Sequence, residues 1–236
     1  LEGIKVIMHN AISLDGSILH FEPNLGLFYQ IASGFNAEMV LVGSNTARTG
    51  IEMFYPEPLQ EEASDYIKPL DKSQYCVPWV IPDSKGILQG RLHILRRYEH
   101  CRDIVVLLAE STPSSYIKYL EERNYDHFVV GHDNVDLRKG LELMSQRYGV
   151  KTITTDAGVT LNCLLLEKGL VDEISLLVSP VIVGNVSVNL FGKLHSPNGG
   201  IKLEMIKSEV MENDHLWLMY RVKHELSCIS RGISSE

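Results

Sequence analysis

Four short stretches carry residue types that suit ligand chemistry. In Val40-Leu41-Val42-Gly43-Ser44-Asn45-Thr46 an apolar run enters a glycine and then residues that favour helix starts. In Thr154-Thr155-Asp156-Ala157-Gly158-Val159-Thr160-Leu161-Asn162 a second run does the same. A helix start has N–H groups without intrahelical acceptors and a partial positive charge, so either turn can hold a phosphate without a lysine. Gly158 admits close backbone approach, and Thr160 or Asn162 could add hydrogen bonds. Each turn is also readable as an ordinary cap, with Ser, Asn or Thr capping the first and Asp156 the second. Together they suit the two ends of a dinucleotide better than either does alone. In Ile81-Pro82-Asp83-Ser84-Lys85-Gly86, Ser84 and Lys85 could meet a ribose 2′-phosphate, Asp83 opposes that, and a plain turn fits as well. In Asn10-Ala11-Ile12-Ser13-Leu14-Asp15-Gly16-Ser17 a strand breaks into a polar loop. Its end could present backbone groups to a flat heterocycle, or simply turn at Asp-Gly.

These stretches need a sheet to bring them together, and the apolar pattern predicts one. Strands are expected at 4–12, 38–42, 77–81, 104–108, 127–130, 151–154 and 173–183, with helices at 25–34, 114–123, 135–148 and 159–168. Residues 91–98 fit either type, and 49–72, rich in Glu and Pro, read as a surface excursion or short helix. Residues 202–210 and 215–223 alternate apolar with polar, as antiparallel strands at a sheet edge do. The result is an α/β fold with a mixed, mainly parallel sheet and helices on both faces. Ligands in such sheets sit at the carboxyl ends of strands where the strand order switches. One domain over 1–226 and a polar tail over 227–236 are expected.

Composition narrows the function classes. The 236 residues include 44% hydrophobic and 22% charged residues, enough to bury a large core. A net charge of −8 argues against a nucleic-acid surface, so an anionic ligand must be held locally. Cys76, Cys101, Cys163 and Cys228 form no C-x-x-C pair, which favours free thiols in a reducing cytoplasm over disulfides or zinc. No run of 18 apolar residues is present, and the first ten residues lack the pattern of a signal peptide, so a cytoplasmic protein without a membrane role is expected. The chain has no G-x-G-x-x-G, no G-x-S-x-G and no H-x-E with P-C-x-x-C, and the nine histidines have no ligand spacing.

Taken in order, the pieces resemble the reductase domain of the riboflavin-biosynthesis (RibD-type) family within the dihydrofolate-reductase-like superfamily. The resemblance spans 6–222 and rests on Ala11 to Gly16, on Gly43 to Thr46, and on Asp156-Ala157-Gly158-Val159-Thr160-Leu161-Asn162. Gly169-Leu170-Val171-Asp172-Glu173 and Ser179-Pro180 follow as the family pattern has them. It implies a three-layer α/β/α fold, a homodimer joined through the apolar C-terminal strands, and NADPH as cofactor. The implied reaction is hydride transfer to the ribose C1′ of a phosphoribosylamino-pyrimidine. By matching positions, Ala11 faces the nicotinamide carboxamide, Gly43 and Thr46 take the diphosphate side, Ser84 the adenosine end, and Gly158, Val159, Thr160, Leu161 and Asn162 the remaining phosphate. Asp156 stands where a family Glu touches substrate, Asp15 lies near the mouth, and Arg48 is the candidate for the substrate phosphate.

Departures from the pattern bear on the substrate. Thr46 is followed by Ala47-Arg48-Thr49-Gly50, without the family's acidic residue, and Pro56-Glu57-Pro58 stands where a basic residue is usual. Leu27 falls where dihydrofolate reductases carry the acid that binds the pteridine, which ranks folate reduction lower. Reduction of another heterocycle or carbonyl, or NADP(H) binding without catalysis, are the alternatives. No catalytic side chain is singled out, because positioning supplies most of the rate of a hydride transfer.

Overall fold

The computed structural model describes residues 3–55, 57, 59–69, 72, 76–195 and 200–224. The expected tail at 227–236 and Cys228 lie outside these residues. Among the described residues nine strands form one sheet: β1 (Lys5–Ser13), β2 (Met39–Leu41), β3 (Val77–Pro82), β4 (Cys101–Leu108), β5 (Asp126–Val129), β6 (Thr152–Thr155), β7 (Glu173–Ser179), β8 (Leu203–Val210) and β9 (Leu216–Val222). Their order is β5-β4-β3-β2-β6-β1-β7-β9-β8. The pairs from β5 to β7 are parallel, while β7–β9 and β8–β9 are antiparallel. This is the dihydrofolate-reductase-like architecture, with its order switch at β2-β6-β1.

Helices cover both faces, as the apolar pattern requires. On one face α5 (Leu137–Tyr148) and α6 (Val159–Glu167) pack Leu141, Met144, Leu161 and Leu165 onto Val6, Met8, Leu41 and Leu107. On the other, α2 (Ser44–Phe54), α3 (Leu92–Arg96) and α4 (Ser114–Glu122) pack Ala47, Ile51, Leu95 and Leu120 onto Ile81, Val106 and Leu108. There α1 (Leu25–Ser33) lies beside them over Leu177 and Ala11.

Three boundaries differ from the sequence pattern. The excursion expected from 49 begins later, because α2 runs on to Phe54 before a 3₁₀ turn at Ala63–Tyr66. The ambiguous 91–98 segment holds the short helix α3. The long β-branched run after 173 stops at Ser179, since Pro180 has no N–H to continue the ladder.

A buried relay fixes α1 on the sheet. Trp217 Nε1 donates to Ser175 Oγ at 2.9 Å, and Ser175 lies 3.0 Å from His9 Nδ1. His9 Nε2 is 3.1 Å from the Phe28 carbonyl, and the imidazole stacks on Phe28 with centroids 4.2 Å apart. A carbonyl only accepts, so Nε2 carries the proton and Ser175 donates to Nδ1. Desolvation lowers the His9 pKa to about 4, so the ring is neutral at physiological pH. As pH falls from about 6.5 toward 4, the unfolded chain takes up a proton that the folded chain refuses, so stability falls with acidification in that window. Between pH 7 and 4 the wild type should lose about 3 kcal/mol more stability in urea than His9→Gln does. Parallel slopes for the two proteins would show that the ring is not held neutral.

Candidate active site

The helix starts on α2 and α6 are built alike. Gly43 is the N-cap of α2 and Gly158 that of α6, and neither helix has a side-chain cap. The reading of ordinary capping by Ser44, Asn45, Thr46 or Asp156 is therefore corrected. Ala47 and Asn162 are the first residues whose N–H groups return to the cap carbonyls, at 2.9 and 3.2 Å. The N–H groups of Ser44, Asn45 and Thr46, and of Val159, Thr160 and Leu161, thus precede any intrahelical acceptor. Thr46 ties the two starts together, because its Oγ1 accepts from Gly158 N at 3.1 Å. A Cβ at position 158 would come within 3.2 Å of that oxygen, so the close approach favours glycine. Two positive helix ends therefore converge where β2 and β6 finish.

The strand between them and β7 ends openly. On one side of β1, Lys5 N donates to Lys151 O; on the other, Val6 O accepts from Asp172 N. Strand alternation then puts the Ala11 N–H and C=O on the β6 side. Thr155, the last residue of β6, is in register with Met8. Ala11 therefore stands three residues beyond the end of its neighbour, with its backbone directed into a gap.

That gap is a cleft of about 480 Å³ between α1 and α2. Asn10, Ala11, Asp156, Ala157, Gly158 and Val159 line its floor, and Asn45, Thr46, Thr49, Gly50 and Met53 line it from α2. Ile18, Leu19, Phe21, Pro23, Leu25, Phe28 and Tyr29 form an apolar wall, closed by Val188. Asp156 opens onto the cleft and has no hydrogen-bond partner among the described residues. Asp156 keeps solvent access at the cleft, and the protein crowded about it pushes its carboxyl up to about 7. Burial, and then the charge of Asp156, raises the pKa of the Tyr29 phenol, so the two groups sense each other across the cleft.

The structure brings Ala11, Thr46, Asp156, Gly158 and Val159 to this cleft and sets the other expected residues elsewhere. Gly43 is buried against Leu161 at the helix start, and Leu161 turns its side chain into the core, so both could offer only backbone. Thr160 is exposed at the α6 start, where Lys193 Nζ lies 3.3 Å from its hydroxyl. Asn162 is corrected: at 0% exposure its side chain cannot reach a cofactor. It donates to Asn10 Oδ1 at 2.9 Å and to Ala157 O at 2.7 Å, binding α6 to β1. Asp15 spends its carboxylate on Ser13 Oγ and on the N–H groups of Val183 and Gly184, at 2.6, 3.1 and 2.9 Å. These bonds hold its pKa down at about 2 and clamp two loops at the wall of the cleft. Arg48 does not line the cleft and reaches Asn45 Oδ1 at 3.3 Å. Ser84 follows β3 outside the lining, and its carbonyl accepts from Thr112 Oγ1 at 3.0 Å. Asp83 faces inward, accepting from Ile87 and Leu88 N at 3.1 Å each, so the objection it raised to an anion beside Ser84 is weakened.

Sequence reasoning missed the apolar wall, although a signal existed. Leu25 and Tyr29 lie four apart and exposed, off the core stripe of Leu27, Phe28 and Ile31, giving α1 a second apolar edge. On α2, Thr46, Thr49, Gly50 and Met53 recur at helical spacing on the facing side. Lys193 was also missed, since nothing nearby in the chain marks it.

Between pH 4 and 7 folded Asp156 keeps a proton that the unfolded chain has lost, so ionisation costs stability as pH rises through that window. Asp156→Asn should therefore gain in melting temperature relative to wild type as pH rises from 4.5 to 8, a range chosen about that shift. A constant difference across the series would mean that the carboxylate is ordinary.

Comparison with known proteins places the chain in a family and a fold. A model of the RibD C-terminal domain matches residues 31–217. A 2,5-diamino-6-ribosylamino-4(3H)-pyrimidinone 5′-phosphate reductase of Aquifex aeolicus is 31% identical over 84 residues, 36% of this chain and 37% of that protein. The like-named protein of Methanothermobacter thermautotrophicus is 31% identical over 122 residues, 50% of this chain and 55% of its own length. The matched stretch thus spans about half or less of either relative. A pyrimidine reductase-like protein of Corynebacterium diphtheriae superposes with a TM-score of 0.66 at 16% identity, covering 94% of this chain and 93% of that one.

Proposed function

Because the chain belongs to the RibD C-terminal domain family, we propose that it is an NADPH-dependent reductase of ribosylamino-pyrimidines in riboflavin biosynthesis. The observation that carries this reading is the pair of helix starts without side-chain caps, joined by Thr46 and Gly158 beside the open backbone of Ala11. A diphosphate fits the six free N–H groups, because two positive helix ends and unpaired donors recognise it without a dedicated lysine. Ala11 offers one donor and one acceptor in the pattern that a carboxamide complements. Ser84 and Lys85 are assigned to the adenosine end, where a 2′-phosphate would distinguish NADPH from NADH.

When bound, the reduced nicotinamide supplies a hydride. This chain positions the acceptor beside Ala11 and over Asp156, and excludes water with the wall from Ile18 to Tyr29. Opening of the ribose ring breaks its C1′–O bond, moves the amine proton to the ring oxygen, which becomes a hydroxyl, and leaves a C1′=N imine. Reduction then adds a hydride at C1′ and one proton at nitrogen, so NADPH is consumed with one proton. Asp156 is the group assigned to hold or orient that proton, because a carboxyl near pH 7 can be found in either form. Arg48 and Lys193 sit at the two helix starts and add positive charge there.

We further assign a homodimer formed across β8, whose Leu203, Met205, Ile206 and Val210 are exposed on the outermost strand. A reducing, cytoplasmic setting agrees with Cys76, Cys101 and Cys163 being free thiols.

Oxidation of NADPH should be followed with the diamino-pyrimidinone and with the amino-uracil as phosphoribosylamines, alongside fluorescence titration of NADPH. Turnover of either bears the reading out; tight binding without turnover moves it to another acceptor, and no binding removes it. Thr46→Ala, which deprives Gly158 N of its acceptor, should weaken NADPH binding by roughly tenfold. An unchanged affinity would detach the two helix starts from the cofactor.

A further inference from the structure

Tyr29 carries a polar group for which the fold has no use. It stands on α1 in the apolar wall of the cleft, and among the described residues its hydroxyl makes no hydrogen bond. The ring is nevertheless well held. It meets Phe28 edge-on with centroids 5.3 Å apart, and His100 lies at 5.8 Å. Phe28 is in turn stacked on His9, and its carbonyl accepts from His9 Nε2, so Tyr29 sits on the part of α1 that is tied to the sheet. Of the described residues that line the cleft, Tyr29 and Asp156 are the two with ionisable side chains. Neither has a partner in the protein, and they face one space from its wall and its floor. Burial, and then the charge of Asp156, keep the phenol protonated, so it is an O–H donor at any working pH.

A small-molecule site is mostly apolar and fixes its ligand with a few polar groups, which is what this wall and these two residues supply. In the reaction described above Asp156 serves the nitrogen that joins the sugar to the pyrimidine. A flat ring held there from the floor turns its far edge toward α1. We infer that Tyr29 is a specificity-determining residue of this site, whose hydroxyl donates to the ring carbonyl on the edge of the acceptor away from that nitrogen. The inference rests on the reductase reading and names the residue by which the cleft recognises its heterocycle. That carbonyl is common to the diamino-pyrimidinone and the amino-uracil. Tyr29 therefore selects for the ring edge they share and is blind to the substituent in which they differ.

The test uses the full chain with NADPH, and wild-type turnover of the two phosphoribosylamino-pyrimidines is measured first. Turnover of neither would remove the reductase reading, and the inference with it. Tyr29→Phe keeps the ring and takes away only the hydroxyl. It is expected to raise KM about fivefold for each pyrimidine that the wild type reduces, the scale of one hydrogen bond lost to a ligand. The values of kcat, NADPH affinity and melting temperature should stay as in the wild type, because the hydroxyl has no partner within the protein. An unchanged KM, with the wild type active, overturns the inference and leaves the reductase reading standing. A fall in kcat at constant KM would put the phenol at the reacting atoms and overturns it too. So does a rise in KM for one pyrimidine alone where both are reduced, since the hydroxyl would then be reading the substituent in which they differ.

Discussion

The site depends on a buried knot of two amides and one carbonyl. Asn162 donates to Asn10 and to the Ala157 carbonyl, which also accepts from Asn10 at 3.2 Å. Both amides are almost wholly buried, so these bonds form away from water, where an unmade one would cost about 1–3 kcal/mol. They fix the direction in which the chain leaves β6. That direction throws Asp156 over the cleft, sets Gly158 beside Thr46, and leaves Ala11 without a strand partner. The free N–H groups of α6 and the free edge of β1 are thus two outcomes of one packing decision.

The same decision separates two electrostatic environments within a few residues. The helix starts concentrate positive potential where β2 and β6 finish, and Arg48 and Lys193 reinforce it. Beyond Ala11 the lining turns apolar, and Asp156, its carboxyl group among the described residues, is pushed toward neutrality. One cleft therefore has a positive end at the helix starts and an apolar end at the wall. The chain reaches this with a net charge of −8, because backbone dipoles need no change in composition.

Periodicity made the parallel strands and their helices legible, and the residue types made the two glycine turns legible. Both signals are local. What was not legible depends on contacts across the chain. Asn162 has the side chain of a ligand contact, and only its pairing with Asn10, 152 residues away, turns it inward. Asp15 reads as a polar group at a strand end until the loop at Val183 and Gly184 supplies its donors. Gly43 and Gly158 stand next to better capping residues, and at Gly158 the choice of glycine follows from the closeness of Thr46 on α2. The apolar wall was hidden because Leu25 and Tyr29 look like ordinary helix residues unless the core stripe is already known.

The position of β1 has a consequence for how the molecule comes into being. The strand β1 is paired on one side with β6 and on the other with β7, in register Lys5 with Thr152 and Ile7 with Glu173. His9 completes its bonding with Ser175, 166 residues later. During synthesis β1 and the helix that follows it must therefore wait, unpaired and apolar, until most of the chain has emerged. Folding dominated by such distant pairings is slow, because loop closure is met before any contact rewards it. The floor of the cleft joins the end of β1 to the turn after β6, so a chain halted before that turn has no binding site, whatever helices it has formed.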